Sequence, residues 1–156
     1  MHYFNCLKGL FNDGVKRYAE DTPERSEFVL DNQHVFAGTV LCSMFAYLES
    51  TLGGKSESGG TWIDRHGGPM KSHLECLRIV RNAFVHSNSY VGDLQNVTEV
   101  EKKRLRAFIT DLESGNIKDD RGNKFPCYMS ISTDDKITFN QCAIHIFCTI
   151  GKTLSH

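Results

Sequence analysis

Apolar residues recur at helical spacing along most of this chain. In residues 3–20 they fall on one broad face, and the first helix is expected to end before the proline-containing break at residues 21–23. A longer helix is expected from Asp31 or Asn32, either of which can cap it, to about Leu52, where two glycines stop it. The residues that form these two apolar faces are Phe4, Leu7, Leu10, Phe11 and Val15, and then Val35, Phe36, Val40, Leu41, Met44, Phe45 and Leu48.

A stretch of different character follows the second helix. Residues 53–69 are rich in glycine and serine and predict a long loop, with Trp62 and Ile63 packing its middle onto the core. Helical spacing returns over residues 71–87, which predicts a third helix. Its packing surface is expected to consist of Leu74, Leu77, Ile79, Val80, Phe84 and Val85.

A fourth helix is expected to begin near Asn96 or Thr98 and to run to about Glu113. Thr98 followed by Glu101 forms a capping box, which is typical of a helix start, and Gly115 supplies the stop. The inner face is expected to consist of Val100, Leu105, Phe108, Ile109 and Leu112.

Near the end of the chain the apolar period changes from helical spacing to two. In residues 125–139 the alternation lies on both sides of a polar turn, which predicts a small β-hairpin. A last helix is expected over residues 140–154. The pattern therefore predicts an all-α fold, a bundle of four to five helices with a small hairpin before the C-terminal helix, in a single domain over all 156 residues.

Composition limits the kinds of protein this chain can be. A domain of 156 residues buries about 70% of its unfolded surface without needing crosslinks. A formal net charge of −1 excludes a protein that coats nucleic acid by bulk electrostatics, so any RNA contact must be local. With no run of about 20 apolar residues and no signal-like start, we expect a cytoplasmic protein with no membrane partner.

The six cysteines lie mostly within apolar segments and lack the close pairing of a small disulfide framework. We interpret them as small core residues in a reducing compartment. Cys142, His145 and Cys148 have the spacing of a metal half-site, but their neighbours predict a buried helix, so we expect no metal. No cofactor is expected either.

Residues 81–86 carry the chemistry. Within an apolar helix they place Arg81, which cannot lose its charge, beside Asn82 and shortly before His86, which titrates near neutral pH. This pattern of Arg-Asn, three residues and His in a helical domain resembles the signature of the HEPN superfamily (higher eukaryotes and prokaryotes nucleotide-binding). The resemblance rests on these six residues and on the helical layout, and the polar segment 87–89 also resembles HEPN sequences.

The resemblance implies a metal-independent endoribonuclease in a toxin–antitoxin or antiviral defence setting. In such an enzyme the ribose 2′-hydroxyl attacks the adjacent phosphodiester and leaves a cyclic phosphate and a 5′-hydroxyl. His86 is expected to be the general base or acid, Arg81 to stabilise the charge on the phosphate oxygens, and Asn82 to orient His86 or contact the phosphate.

The helix geometry favours a site completed by a second surface. Asn82 and His86 are stacked one turn apart, whereas Arg81 and His86 are separated by about 140° around the axis. The resemblance implies that two protomers pair and bring two motifs to one cleft, so that we expect a homodimer with a composite site.

Other residues are candidates for supporting roles. Lys102, Lys103, Arg104 and Arg106 form a basic run that is expected to bind the RNA backbone, although a solvated helix face is the alternative. Glu49 is a candidate for orienting Arg81 or His86, with an ordinary surface position as the alternative, and Asn88 is a second candidate for supporting the motif.

Asn88 stands where some HEPN toxins carry a tyrosine that a partner nucleotidyltransferase antitoxin modifies. The tyrosine of this chain is Tyr90, four residues after His86, which weakens the inference of modification. An antitoxin or defence partner is nevertheless expected, because a free ribonuclease threatens its own cell.

Two other functions compete with the nuclease. A non-catalytic HEPN module would bind RNA, a nucleotide or a protein partner in the same cleft without turnover. In a purely structural role, Arg81 would close a salt bridge and His86 would interact with the last carbonyls of its helix.

Overall fold

The structure, a computed structural model, describes residues 2–53, 61–119 and 121–155. Its internal contacts divide into two compact units. The first comprises Met1–Thr51 and Phe139–His156, and the second comprises Leu52–Thr138. The prediction of one domain over the whole chain stays a prediction.

The described residues are mostly helical, with one small two-stranded antiparallel sheet, which confirms the predicted all-α class with a hairpin. The predicted number of four to five helices is too low, because the described residues form seven α-helices. The elements in chain order are α1 (His2–Lys8), α2 (Val15–Glu20), α3 (Pro23–Leu52), α4 (Thr61–His66), α5 (Lys71–His86), α6 (Glu99–Glu113), β1 (Met129–Ile131), β2 (Ile137–Phe139) and α7 (Cys142–Leu154).

The predicted first helix is helical but not regular. A π-helical segment, Gly9–Gly14, separates α1 from α2. The side chains of residues 11–13, 15, 16 and 19 lie outside the description, and with them the predicted inner positions of Phe11 and Val15. Phe4 is fully buried in the first unit, where α1 packs against α7.

The long helix α3 begins eight residues earlier than the predicted start at Asp31. Pro23 is the first residue of α3 and does not interrupt it. A proline is tolerated at the first helical position, because the N–H group that it lacks would have no partner within the helix. The Thr22 hydroxyl accepts a hydrogen bond from the Arg25 backbone N–H at 3.2 Å, as an N-cap does. The break is therefore the junction between α2 and α3.

By length and composition, α3 is apolar enough to cross a membrane. The buried core helix of a soluble protein has the same length and composition, and seven α3 residues between Ala37 and Leu48 are buried. The expected absence of a membrane partner and the expected cytoplasmic location stay predictions.

The predicted loop over residues 53–69 contains structure that its composition did not indicate. Residues 61–66 form α4, and Gly68–Met70 form a turn of 3₁₀ helix that leads into α5. The Trp62 and Ile63 side chains are each only 1% exposed, which confirms that they pack into a core. The remaining part of the predicted loop, residues 54–60, lies outside the described residues.

The other predicted elements are confirmed. Helix α5 spans the predicted third helix, and α6 begins after a capping box in which the Thr98 hydroxyl and the Glu101 carboxylate bond each other's backbone N–H groups. The hairpin and α7 lie where the change of period placed them.

Some residues assigned to inner faces are instead exposed. Their positions lie at the margins of the apolar stripes, where the helix turns away from the core; Val85, for example, is about 140° around the axis from the buried Val80. These residues are Leu10, Val35, Val85 and Val100.

Candidate RNA-binding cleft on the motif helix

The helix that carries the motif is fixed at its C-terminal end by backbone geometry. The N–H groups of Ser87 and Ser89 both donate to the Ala83 carbonyl, at 3.0 and 2.8 Å. Asn88 and Ser89 adopt left-handed conformations, with φ of 49° and 71°. This closure ends α5 at His86 and turns the chain sharply, so that His86 lies in the last helical turn.

A polar stripe runs along one face of α5 and lines a cleft of about 470 Å³. Arg78, Asn82 and His86 follow one another at a spacing of four residues, which places them on successive turns of the same face. The opposite wall is a segment between α5 and α6 together with the first turn of α6. The full lining is Arg78, Ile79, Asn82, His86, Asp93, Leu94, Gln95, Asn96, Val97 and Glu101.

The polar groups of this stripe are available for a ligand. His86 is exposed, and Asn82 and Arg78 are half-buried. Within the described ranges, the side chains of these three residues form no hydrogen bond or ion pair with the protein. The structure therefore brings Asn82 and His86, two of the predicted site residues, together in one open cleft with a guanidinium group.

Arg81 lies elsewhere on the helix. It is half-buried, its Nε is out of contact with solvent, and it is absent from the cleft lining of the described chain. This placement follows from the angle of about 100° between neighbouring helical residues, which turns Arg81 away from Asn82. Among the described residues that line the cleft, the arginine is Arg78, which precedes Asn82 by one helical turn and lies outside the predicted motif.

Two carboxylates also line the cleft, those of Asp93 and Glu101. Hydrogen bonds from the backbone and side chain of Thr98 lower the pKa of Glu101, and the charge of Arg78 lowers it further. Apart from His86, the charged side chains of the described lining are one arginine, Arg78, and two carboxylates, Asp93 and Glu101. Such a cleft does not attract polyanions by bulk charge, so an RNA contact here must depend on local geometry.

Three of the four basic residues that were expected to bind the RNA backbone form ion pairs. Lys102 pairs with Glu99 at 2.9 Å, and its side chain is only 12% exposed. Arg104 pairs with Glu75 at 3.1 Å. Arg106 pairs with a residue of the hairpin turn, Asp135. Lys103 is exposed, and in the part of the chain that the structure describes it forms no ion pair.

The two residues expected to support the motif lie in different units. Glu49 is a half-buried residue of α3 in the first unit, and Asn88 is an exposed residue of the turn after α5 in the second. Their roles toward Arg81 or His86 stay predictions.

Tyr90 is held in place by the hairpin. Its backbone forms an antiparallel bridge with Lys136, and the Lys136 ammonium lies 5.3 Å from the centre of the Tyr90 ring. The side chain is half-buried.

Two residues with titratable side chains outside the cleft, His73 and Cys148, are buried in the protein. The Nε2 of His73 lies 2.6 Å from the Tyr128 hydroxyl in the core of the second unit, and burial lowers the pKa of His73 to about 4. On α7, His145 is exposed whereas Cys148 is buried, and burial raises the pKa of the Cys148 thiol. In the described ranges, no three His, Cys, Asp or Glu side chains are grouped so as to hold a metal ion.

Comparison of the chain with protein-family models, with curated proteins and with solved structures gave no match.

Proposed function

We propose that this protein is a metal-independent endoribonuclease of HEPN type that cleaves RNA through the ribose 2′-hydroxyl. The observation that carries the proposal is that an exposed imidazole, His86, and the Asn82 amide line the same open cleft. Histidine is the side chain that most often takes up and releases protons in catalysis, which this reaction requires.

The reaction needs two proton transfers and no oxidant or cofactor. A base takes the proton of the 2′-hydroxyl while its oxygen forms a bond to phosphorus. The bond from phosphorus to the 5′-oxygen breaks, and an acid gives that oxygen a proton. The products are a 2′,3′-cyclic phosphate and a 5′-hydroxyl. His86 supplies one of these roles, which typically contributes about 10²–10⁴ in rate.

A second copy of the chain completes the site in this proposal. Arg81 and His86 project from α5 about 140° apart, so one protomer does not direct both side chains at one phosphate. A two-fold homodimer brings Arg81 of one protomer toward the cleft of the other.

The cellular role follows from the reaction. A ribonuclease that nothing inhibits destroys the RNA of its own cell. We therefore propose a cytoplasmic toxin or antiviral defence protein that is inhibited by an antitoxin or a defence-system partner.

The second candidate is a HEPN module that binds RNA, a nucleotide or a protein partner without cleaving it. One observation favours it: in the described residues no side chain hydrogen-bonds the His86 imidazole, whereas a catalytic base is usually oriented by a third group. In that case the cleft binds RNA and releases it intact.

Incubation of the purified protein with RNA in the presence of a chelator tests the proposal. Wild type should cut, and Arg81→Ala and His86→Ala should each cut at least a hundredfold more slowly. His66→Ala is the matched control, because His66 is an exposed histidine of α4 outside the cleft. Unchanged cleavage by the two motif variants rejects the assignment, and RNA that is bound but not cut supports the second candidate.

A further inference from the structure

We propose that Arg78 is the phosphate-binding residue of the cleft, and that the cleft holds one nucleotide of a single-stranded RNA with its phosphate against Arg78. The inference rests on the proposed RNA-directed function, and it assigns a contact to a residue outside the Arg81–His86 motif.

The position of Arg78 supports this assignment. It begins the stripe that continues through Asn82 to His86, and four residues of helix separate each side chain from the next by about 6 Å along the axis. A phosphate bound by Arg78 therefore lies beside Asn82 and one further turn from the imidazole. An RNA strand lying along the stripe would contact all three side chains in order.

The chemistry of Arg78 also fits. Its planar guanidinium presents paired donors that match two oxygens of one phosphate. Arg104 and Arg106 are held by carboxylates in ion pairs, whereas Arg78 forms none with any described residue. Glu101 and Asp64 act on it only at longer range, through their charges. Among these three arginines, Arg78 is the one whose donors are available to a ligand.

The size of the cleft and the other residues that line it indicate which ligand accompanies the phosphate. A volume of about 470 Å³ lies at the lower end of the range for small-ligand sites, which suits one nucleotide rather than a duplex. The Gln95 and Asn96 amides and the Asp93 carboxylate offer hydrogen-bond donors and acceptors to a base edge. The two carboxylates of the lining oppose a polyphosphate, whereas a phosphodiester adds only one negative charge.

Binding to an RNA that cannot be cut separates this inference from the cleavage reaction. The probe is a short, fluorescently labelled single strand whose 2′-hydroxyls are replaced by fluorine, and anisotropy gives the dissociation constant between about 50 and 200 mM salt. Wild type should bind with a salt dependence. Arg78→Gln should bind at least about tenfold more weakly, and the slope of log K against log salt should fall by about 0.7, the value for one lost contact to a single strand.

Two further variants make the result specific. Arg78→Lys keeps the charge but loses the planar pair of donors, so the salt slope should be retained while affinity falls. Arg121→Gln removes the same group from an exposed position outside the cleft and should leave both quantities at the wild-type value. Thermal unfolding of each variant shows whether it is folded.

The outcomes distinguish this inference from the proposed nuclease. An Arg78-dependent salt slope without cleavage of ordinary RNA supports the inference and rejects the nuclease. Cleavage by wild type together with an unchanged affinity and slope for folded Arg78→Gln overturns the inference and leaves the nuclease standing. Failure of wild type to bind the probe also overturns it.

Discussion

Arg106 and Asp135 form a bidentate ion pair that joins α6 to the hairpin turn. The Arg106 Nη2 lies 2.7 Å and 2.6 Å from the two carboxylate oxygens of Asp135, and Nε lies 3.0 Å from Oδ1. Asp135 has a left-handed backbone, with φ of 65°, and its carbonyl accepts a hydrogen bond from the Val91 N–H. The ion pair thus supports the connection between α6, the hairpin and the segment that follows α5.

A comparison of Arg106→Gln with Lys103→Gln tests whether the basic run binds RNA. Arg106 is already paired, so its replacement should lower the free energy of unfolding by roughly 0.5–1 kcal/mol and change RNA affinity little. Lys103 is exposed, so its replacement should leave stability unchanged and reduce RNA affinity and its salt slope. Urea unfolding and anisotropy measure the two effects. Equal losses of RNA affinity in the two variants would contradict this division of roles.

The stability of the protein should fall in mild acid because of His73. The ordinary pKa of a histidine is 6.5, and burial lowers that of His73 to about 4 in the folded state. Between these pH values the unfolded chain binds a proton that the folded chain does not. The stability that neutral His73 contributes is therefore fully present above about pH 6.5 and decreases as the pH falls. The loss is complete near pH 4. A difference of about 2.5 between the pKa values corresponds to about 3 kcal/mol.

The matched variant for this prediction is His73→Gln, which cannot titrate and keeps a polar group near Tyr128. Chemical unfolding from pH 7 to pH 4 should show wild type losing about 3 kcal/mol more than the variant across that range. Carboxylates elsewhere titrate in both proteins and cancel in the comparison. Parallel stability curves for the two proteins would show that His73 is not the group responsible.

The left-handed conformation of Asn88 should make that position sensitive to side-chain shape. Asparagine tolerates a φ of 49° and glycine adopts it freely, whereas alanine is strained there. Asn88→Ala should lower the free energy of unfolding by roughly 1 kcal/mol, and Asn88→Gly should keep it within about 0.5 kcal/mol of wild type.

Asn88→Gly also distinguishes between a role for the Asn88 backbone and a role for its side chain. If its side chain supports His86, Asn88→Gly should lose RNA cleavage while remaining as stable as wild type. Full cleavage by a stable Asn88→Gly would restrict Asn88 to its backbone role.

Gly151 is predicted to be required for the packing of α7 against α1. A Cβ at this position would lie 2.2 Å from Cε1 of the Phe4 ring, and Phe4 is fully buried. Gly151→Ala should therefore lower the free energy of unfolding by roughly 1–3 kcal/mol. Gly9→Ala is the control, because a Cβ there meets no atom of the described side chains or backbone within 4 Å. Denaturation midpoints that are equal for these two variants would contradict the close contact.

Much of the fold could be predicted because its elements depend on local sequence. The capping box of Thr98 and Glu101 marked the start of α6, and the change of apolar period marked the hairpin. The predicted start of α3 is too late, because a proline can either interrupt a helix or occupy its first position. The apolar pattern alone does not show which of the two applies at Pro23. Helix α4 was missed because six residues beside a glycine-rich stretch show little periodicity.

The candidate site could be predicted only in part. The spacing of Asn82 and His86 on one helical face is local, and the structure places both in one cleft. Arg78 shares that spacing and could have been found by extending the stripe by one turn. The partners of Arg104 and Arg106 are each 29 residues away in sequence, so no local pattern distinguishes these engaged cations from the exposed Lys103.

The chemical ends of the RNA products distinguish the proposed cleavage through a 2′-hydroxyl from other ways of cutting RNA. An RNA and the same RNA with single 2′-deoxy substitutions should be incubated with wild type in chelator, and the fragments analysed by mass spectrometry. We expect 2′,3′-cyclic phosphate and 5′-hydroxyl ends and no cleavage on the 3′ side of a deoxy position. Absence of cleavage, or cleavage at deoxy positions that leaves 3′-hydroxyl and 5′-phosphate ends, would contradict it.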